Sequence, residues 1–269
     1  MHTVTSADGT TIACWQNGSG GAHLVLVHGT AANHTRWTSI GARFAEYFTV
    51  TAIDRRGRGD SGDQAKYAIA REFDDVAAVV NSLDGPVLLF GHSYGGVCAL
   101  EAAMRIERLR GLILYEPPIV GDGETVYAEG QLARLEALLA TGDREAVVTT
   151  FMTEVVGAPP SQLDMLMSSP AWPGRVAAAH TILRECRAED TYRLDTARAN
   201  QLAIPVLLLL GGDSPGFFRT ATARLEEALP NARTVVMPGQ QHVAMDTGPD
   251  LVTDAVLDFW REIGGVFAR

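Results

Sequence analysis

The chain has 269 residues, 46% hydrophobic and 20% charged, which suits one large domain with a sizeable core. Its formal net charge of −10 argues against a nucleic-acid or anionic-membrane partner, since both need a basic surface. Cys14, Cys98 and Cys186 are far apart and form no C-x-x-C pair, so neither a disulfide framework nor a zinc or other metal site is expected. The N-terminus lacks a basic segment followed by an apolar one, and the longest aliphatic run, Val206–Leu210, is too short to span a bilayer. The expectation is a cytoplasmic protein.

In chain order, residues 2–16 read as a hairpin turning at Asp8-Gly9. Residues 22–29, "AHLVLVHG", are a short continuous apolar run, as in a strand buried on both faces. Helical spacing follows over 34–48, a strand over 48–57, and a helix over 70–84 with Phe73, Val76, Ala77 and Val80 on one face. Residues 85–93 form a strand, 95–106 a helix and 109–118 another strand. After Pro117-Pro118 the rhythm changes. Helical patterns occupy 130–143, 143–157 with Asp143 as cap, 161–167 with a Ser161/Asp164 capping-box spacing, and 174–190. Strands then return at 204–213 and 232–239, with helices at 220–230 and 250–263. Such alternation predicts an α/β fold: a mostly parallel sheet of eight strands, counting the hairpin, with helices on both faces. A core of residues 1–118 and 200–269 would carry a helical cap, 119–199, inserted over the strand ends where ligands bind in open α/β sheets.

The chemistry centres on Gly91-His92-Ser93-Tyr94-Gly95, a G-x-S-x-G pattern between "VLLF" and a small-residue helix. The pattern places a serine on a strained strand-to-helix turn, its hydroxyl above the sheet. A plain helix cap at Ser93 is the competing reading. A serine nucleophile needs a base, and His242 lies in the loop between the last strand and the last helix, on the same side of the sheet. The base in turn needs a carboxylate to hold its tautomer. Asp213, directly after the penultimate strand, is favoured, and Glu116, which also ends a strand, is the alternative. Two backbone donors for an oxyanion would be the N–H of Tyr94 and that of Thr30, in the "HGT" after the "HLVLV" strand.

With Ser93, Asp213 and His242 in this order, together with His28-Gly29-Thr30, the Asp54–Gly62 "DRRGRGDSG" block and Gly91 to Gly96, the chain resembles the α/β-hydrolase family over nearly its whole length. The resemblance implies a catalytic core interrupted by a variable lid. It further implies hydrolysis of an ester, thioester, amide, lactone or carbon–carbon bond, usually without a cofactor. Asp54 and Arg55 would be structural. The substrate expected is a small to medium apolar ester or lactone, bound between the Ser93 turn and the cap. Trp37, Tyr94, Met152, Met165, Met167 and Trp172 are candidate lining residues, though core packing explains such side chains equally well. Perhydrolysis or haloperoxidation on the same triad, carbon–carbon bond hydrolysis, or a non-catalytic ligand receptor are the alternatives.

Overall fold

The computed structural model describes residues 1–266. Strands β1 (His2–Thr5) and β2 (Thr11–Asn17) form the expected hairpin. Gly9 turns the chain at φ +84°, and the Asp8 carboxylate accepts from Thr10 N–H at 3.0 Å. The remaining strands are β3 (His23–Val27), β4 (Thr49–Ile53), β5 (Val87–His92), β6 (Leu109–Tyr115), β7 (Val206–Gly211) and β8 (Ala232–Met237). They make one eight-stranded sheet in the order β1-β2-β4-β3-β5-β6-β7-β8, with β1–β2 and β2–β4 antiparallel and the other pairs parallel.

The apolar runs are continuous because the central strands are covered on both faces. Val25, Val27, Leu89, Leu112, Leu114 and Leu208 face one side, and Leu24, Leu26, Leu88, Phe90, Ile113 and Leu207 face the other. Helix α1 (Thr38–Phe44), entered through a short 3₁₀ turn at His34–Trp37, lies on the second face. Helices α2 (Ile69–Asn81) and α3 (Tyr94–Ala103) lie on the first. Between β6 and β7 come α4 (Gln131–Thr141), α5 (Arg144–Thr150), α6 (Pro160–Met167), α7 (Trp172–Ala177), α8 (Ala179–Thr191) and α9 (Thr196–Ala199). The chain then closes with α10 (Gly216–Ala228) against the first face, the short α11 (Ala244–Thr247), and α12 (Pro249–Glu262) against the second. Among the described residues no helix is long and apolar enough to cross a membrane.

The helices between β6 and β7 bury a cluster of their own, built on Leu135, Val147, Val148, Phe151, Trp172 and Ile182. Three details there differ from the sequence expectation. Pro160 opens α6, so Ser161 and Asp164 lie inside the helix and do not cap it; proline's fixed φ suits the first helical position. The segment expected as one helix over 174–190 divides near Ala178 into α7 and α8. Asp143 does cap α5, accepting from Ala146 N–H at 2.9 Å, but the coil widens at Phe151–Val155 into a π-helical turn.

A buried ion cluster ties this block to the rest. Glu185 on α8 pairs with Arg55 at 2.9 Å and with Arg58, and Arg55 also grips Glu72 on α2 through two bonds of 2.7 and 2.8 Å. Burial alone would raise the Glu72 carboxyl, but the Arg55 guanidinium overrides it and holds the group at about 2.

Candidate active site

Ser93 follows the last residue of β5 and precedes α3, with φ +55° and ψ −129°. This is backbone that a side chain rarely adopts, at a cost of roughly 1–3 kcal/mol. Its amide donates to Tyr115 O at 2.9 Å, and its carbonyl accepts from Gly96 N–H at 2.7 Å, so strand β6 and helix α3 together impose the turn. The approach is very close. A Cβ on Gly95 would stand 2.3 Å from the His28 carbonyl oxygen, and one on Gly29 would stand 2.9 Å from the Ser93 Cβ. No hydrogen bond from the Ser93 side chain caps α3, which removes the plain capping role.

His242 stands in the β8–α12 connection, 7% exposed, and lines a cavity of about 160 Å³ together with Ser93. The carboxylate on its Nδ1 is Glu116, at 2.6 Å and fully buried. The favoured Asp213 does not reach the imidazole. After the Gly211-Gly212 turn its side chain is exposed, and its backbone N–H donates to Gln240 O at 2.9 Å. The end of β7 serves Glu116 instead, because Gly211 N–H donates to Glu116 Oε1 at 2.7 Å. Glu116 itself sits at φ +47°, directly after β6, and its carboxylate bridges the end of β7 and the His242 loop.

Three aromatic rings hold the His242 loop. The Phe218 ring stacks on the imidazole, with centroids 4.3 Å apart and 15° between planes. His92 lies 4.6 Å from it, and its Nε2–H donates to the His242 carbonyl at 2.8 Å. Burial, with the neighbouring His242 second, pushes His92 well below the usual histidine range, so it stays neutral and keeps that donor. Tyr115 OH donates to Gln241 O and accepts from Ala244 N–H at 3.2 Å.

Thr30 lines the same cavity as Ser93, and among the described residues no hydrogen bond occupies the N–H of Thr30 or Tyr94. The Tyr94 side chain points elsewhere: it is buried, and its hydroxyl meets Tyr67 OH at 2.6 Å. Asp54 and Arg55 are structural. Asp54 accepts from Trp15 Nε1, His34 N and Asp60 N at 2.8–3.1 Å.

Of the apolar candidates, Met152 borders the Ser93 turn. Trp37 packs in the core against Phe90, with centroids 5.1 Å apart, and Trp172 packs into the helical block's own cluster. Met165 and Met167 are exposed, and Met165 borders a separate surface cleft. These four belong to packing or surface, as methionine and tryptophan at helical spacing commonly do. The walls come instead from Pro118, Phe151, Val155, Val156, Phe217 and Phe218. The π turn swings the side chains at 151, 155 and 156 toward the serine, and nothing in the sequence pattern announces it.

Three further polar groups at the site were not foreseen. Glu189 on α8 lines the larger cavity and accepts from Tyr127 OH; burial raises its carboxyl to about 8. Arg36 and Arg175 border the Ser93 turn through a second, smaller cavity. Their partners lie 210 and 144 residues away in sequence, which hides the grouping until the chain is folded.

A family model described as "Alpha/beta hydrolase family" matches residues 24–255. The solved structure of an alpha/beta hydrolase from Sphaerobacter thermophilus is 37% identical, covers 96% of this chain and 100% of its own, and superposes with a TM-score of 0.82. A 2-(acetamidomethylene)succinate hydrolase from Mesorhizobium japonicum is 25% identical over 260 residues, 93% of this chain and 91% of that protein. The lipase LipV of Mycobacterium tuberculosis is 32% identical over 127 residues, so the match spans 46% of each chain.

Proposed function

Since the chain belongs to the alpha/beta hydrolase family, a family of hydrolytic enzymes, we propose that it is a serine hydrolase cleaving a carboxylic ester or lactone through an acyl-enzyme. One observation carries this reading. Ser93, on a strained turn, and His242, hydrogen-bonded to the buried Glu116, open onto one cavity.

In the proposed reaction Glu116 holds Nδ1–H of His242, so that Nε2 is the free base. The base takes the Ser93 proton as Oγ attacks the carbonyl carbon. The N–H groups of Thr30 and Tyr94 receive the oxyanion, with the N-terminal end of α3 adding its dipole. His242 then gives the proton to the leaving oxygen, the alcohol departs, and a water activated by the same imidazole releases the acid. The helices between β6 and β7 act as the lid. The cavity, about 160 Å³, is smaller than pockets that take drug-sized ligands, and its aromatic and valine walls suit a small acyl group.

Steady-state turnover of 4-nitrophenyl acetate, butyrate and octanoate, with a lactone panel, tests the reading. Wild type should hydrolyse the short esters best. Ser93→Ala should lose at least about 10³-fold in kcat while keeping its melting temperature. Equal turnover by the two proteins would overturn it.

A further inference from the structure

Arg175 is 5% exposed, on helix α7, and among the described residues no carboxylate pairs with it. Its Nη1 donates to the Ala31 carbonyl at 3.0 Å, and its Nε is buried without a partner. Arg36, also 5% exposed, lines the same small cavity. Its Nη1 meets Asp246 at 2.5 Å, where Ser39 OH also donates at 2.9 Å, and its Nη2 is buried and unpartnered. Both arginines border a small cavity with Ser93, His92 and His242. Asp246 pairs with Arg36, and among the described residues no carboxylate stands within ion-pair distance of Arg175.

A buried guanidinium without a counter-ion is costly to keep. Burial, with Arg36 second, pulls Arg175 down to about 10, which still leaves it charged near neutral pH. Its backbone contact with Ala31 uses a single N–H and supplies no negative charge. A carboxylate supplies both the charge and acceptor oxygens for the guanidinium forks. The cavity is about 30 Å³. A site for one water needs roughly 10–15 Å³, so two or three polar atoms fit, the size of a carboxylate and less than that of a phosphate.

Resting on the hydrolase reading above, we propose that the substrate carries a carboxylate, and that Arg175 and Arg36 bind it in the small cavity they line with Ser93. The enzyme then acts on hemiesters or related monoacyl derivatives of small dicarboxylic acids. The arginines place the scissile carbonyl over Ser93 by holding the far end of the molecule.

The test compares 4-nitrophenyl hydrogen succinate, which is anionic, with its neutral methyl diester. Wild type should show kcat/KM at least tenfold higher for the hemiester, mainly through KM. Arg175→Met should bring the ratio of the two substrates near one, and Arg36→Met should lower it; Arg175→Lys should retain part of the preference. Arg175 also holds the Ala31 carbonyl, so its loss slows both substrates, and the ratio isolates the charge. Succinate should inhibit wild type competitively and raise its melting temperature, and succinamide should do neither, a reading that needs no variant to fold. Equal kcat/KM for hemiester and diester in wild type, or a preference that survives in Arg175→Met, would refute the carboxylate site. Loss of all turnover in wild type would overturn the hydrolase reading, while succinate binding would still report on the arginines.

Discussion

A carboxylate that fixes a histidine tautomer must be dry, close and itself held in place. Glu116 satisfies each condition, with no exposure, 2.6 Å to His242 Nδ1 and 2.7 Å from Gly211 N–H. Asp213 satisfies none, because the two-glycine turn carries it out to solvent. Glu116→Gln should therefore lower kcat by about 10³–10⁴-fold, since a carboxamide can present its NH₂ to the imidazole and favour the wrong tautomer. Asp213→Asn should change kcat less than about twofold. Parallel steady-state kinetics of the two variants decide between the positions, and a collapse in Asp213→Asn alone would reverse the assignment. The positions of Ser93 and His242 at one cavity were legible from sequence because each is announced locally, by a glycine-flanked turn and by a loop after the last strand. The carboxylate was not, since β6 and β7 are each followed within two residues by an acidic residue, Glu116 and Asp213. The choice depends on which strand end the His242 loop folds over.

Among the elements, the regular ones followed from hydrophobic period alone. The irregular ones did not, because the π turn at Phe151–Val155 and the break near Ala178 answer to packing between helices. The attachment of α8 was likewise unreadable, since a buried glutamate in an amphipathic helix resembles any solvent-facing one until its partners are known. Glu185 holds Arg55 and Arg58 at once, and all three side chains are buried. Glu185→Ala should strand the buried Arg58 guanidinium, leave Arg55 to Glu72 alone, and cost about 3–5 kcal/mol, read as a lowered urea midpoint. A change below about 1 kcal/mol would mean that water replaces the carboxylate freely.

For the molecule as a whole, two buried carboxyls bend the stability profile in opposite directions. Glu72 is held at about 2 against an ordinary 4.5, so the unfolded chain binds its proton first, and the stability it contributes is lost as pH falls from 4.5 toward 2. Glu189 is raised to about 8, so its proton is retained in the fold, and stability declines as pH rises from 4.5 through 8. Glu189→Gln keeps the shape and removes the ionisation. Its melting temperature should match wild type at pH 4.5 and exceed it by several degrees at pH 8.5, measured by calorimetry across that range. Identical profiles would show that Glu189 ionises in the fold without penalty.

Drawing the carboxylate from β6 also changes what the chain can tolerate. Under the proposed mechanism the loop after β7 takes no part in proton transfer, so drift at Asp213 should carry no catalytic penalty. A few residues on, Phe217 and Phe218 form part of the cavity wall. Insertions or exchanges in that stretch can alter which acyl group fits while the charge partner of His242 stays untouched behind it. A lineage built this way can try new substrates through mutations that remain survivable.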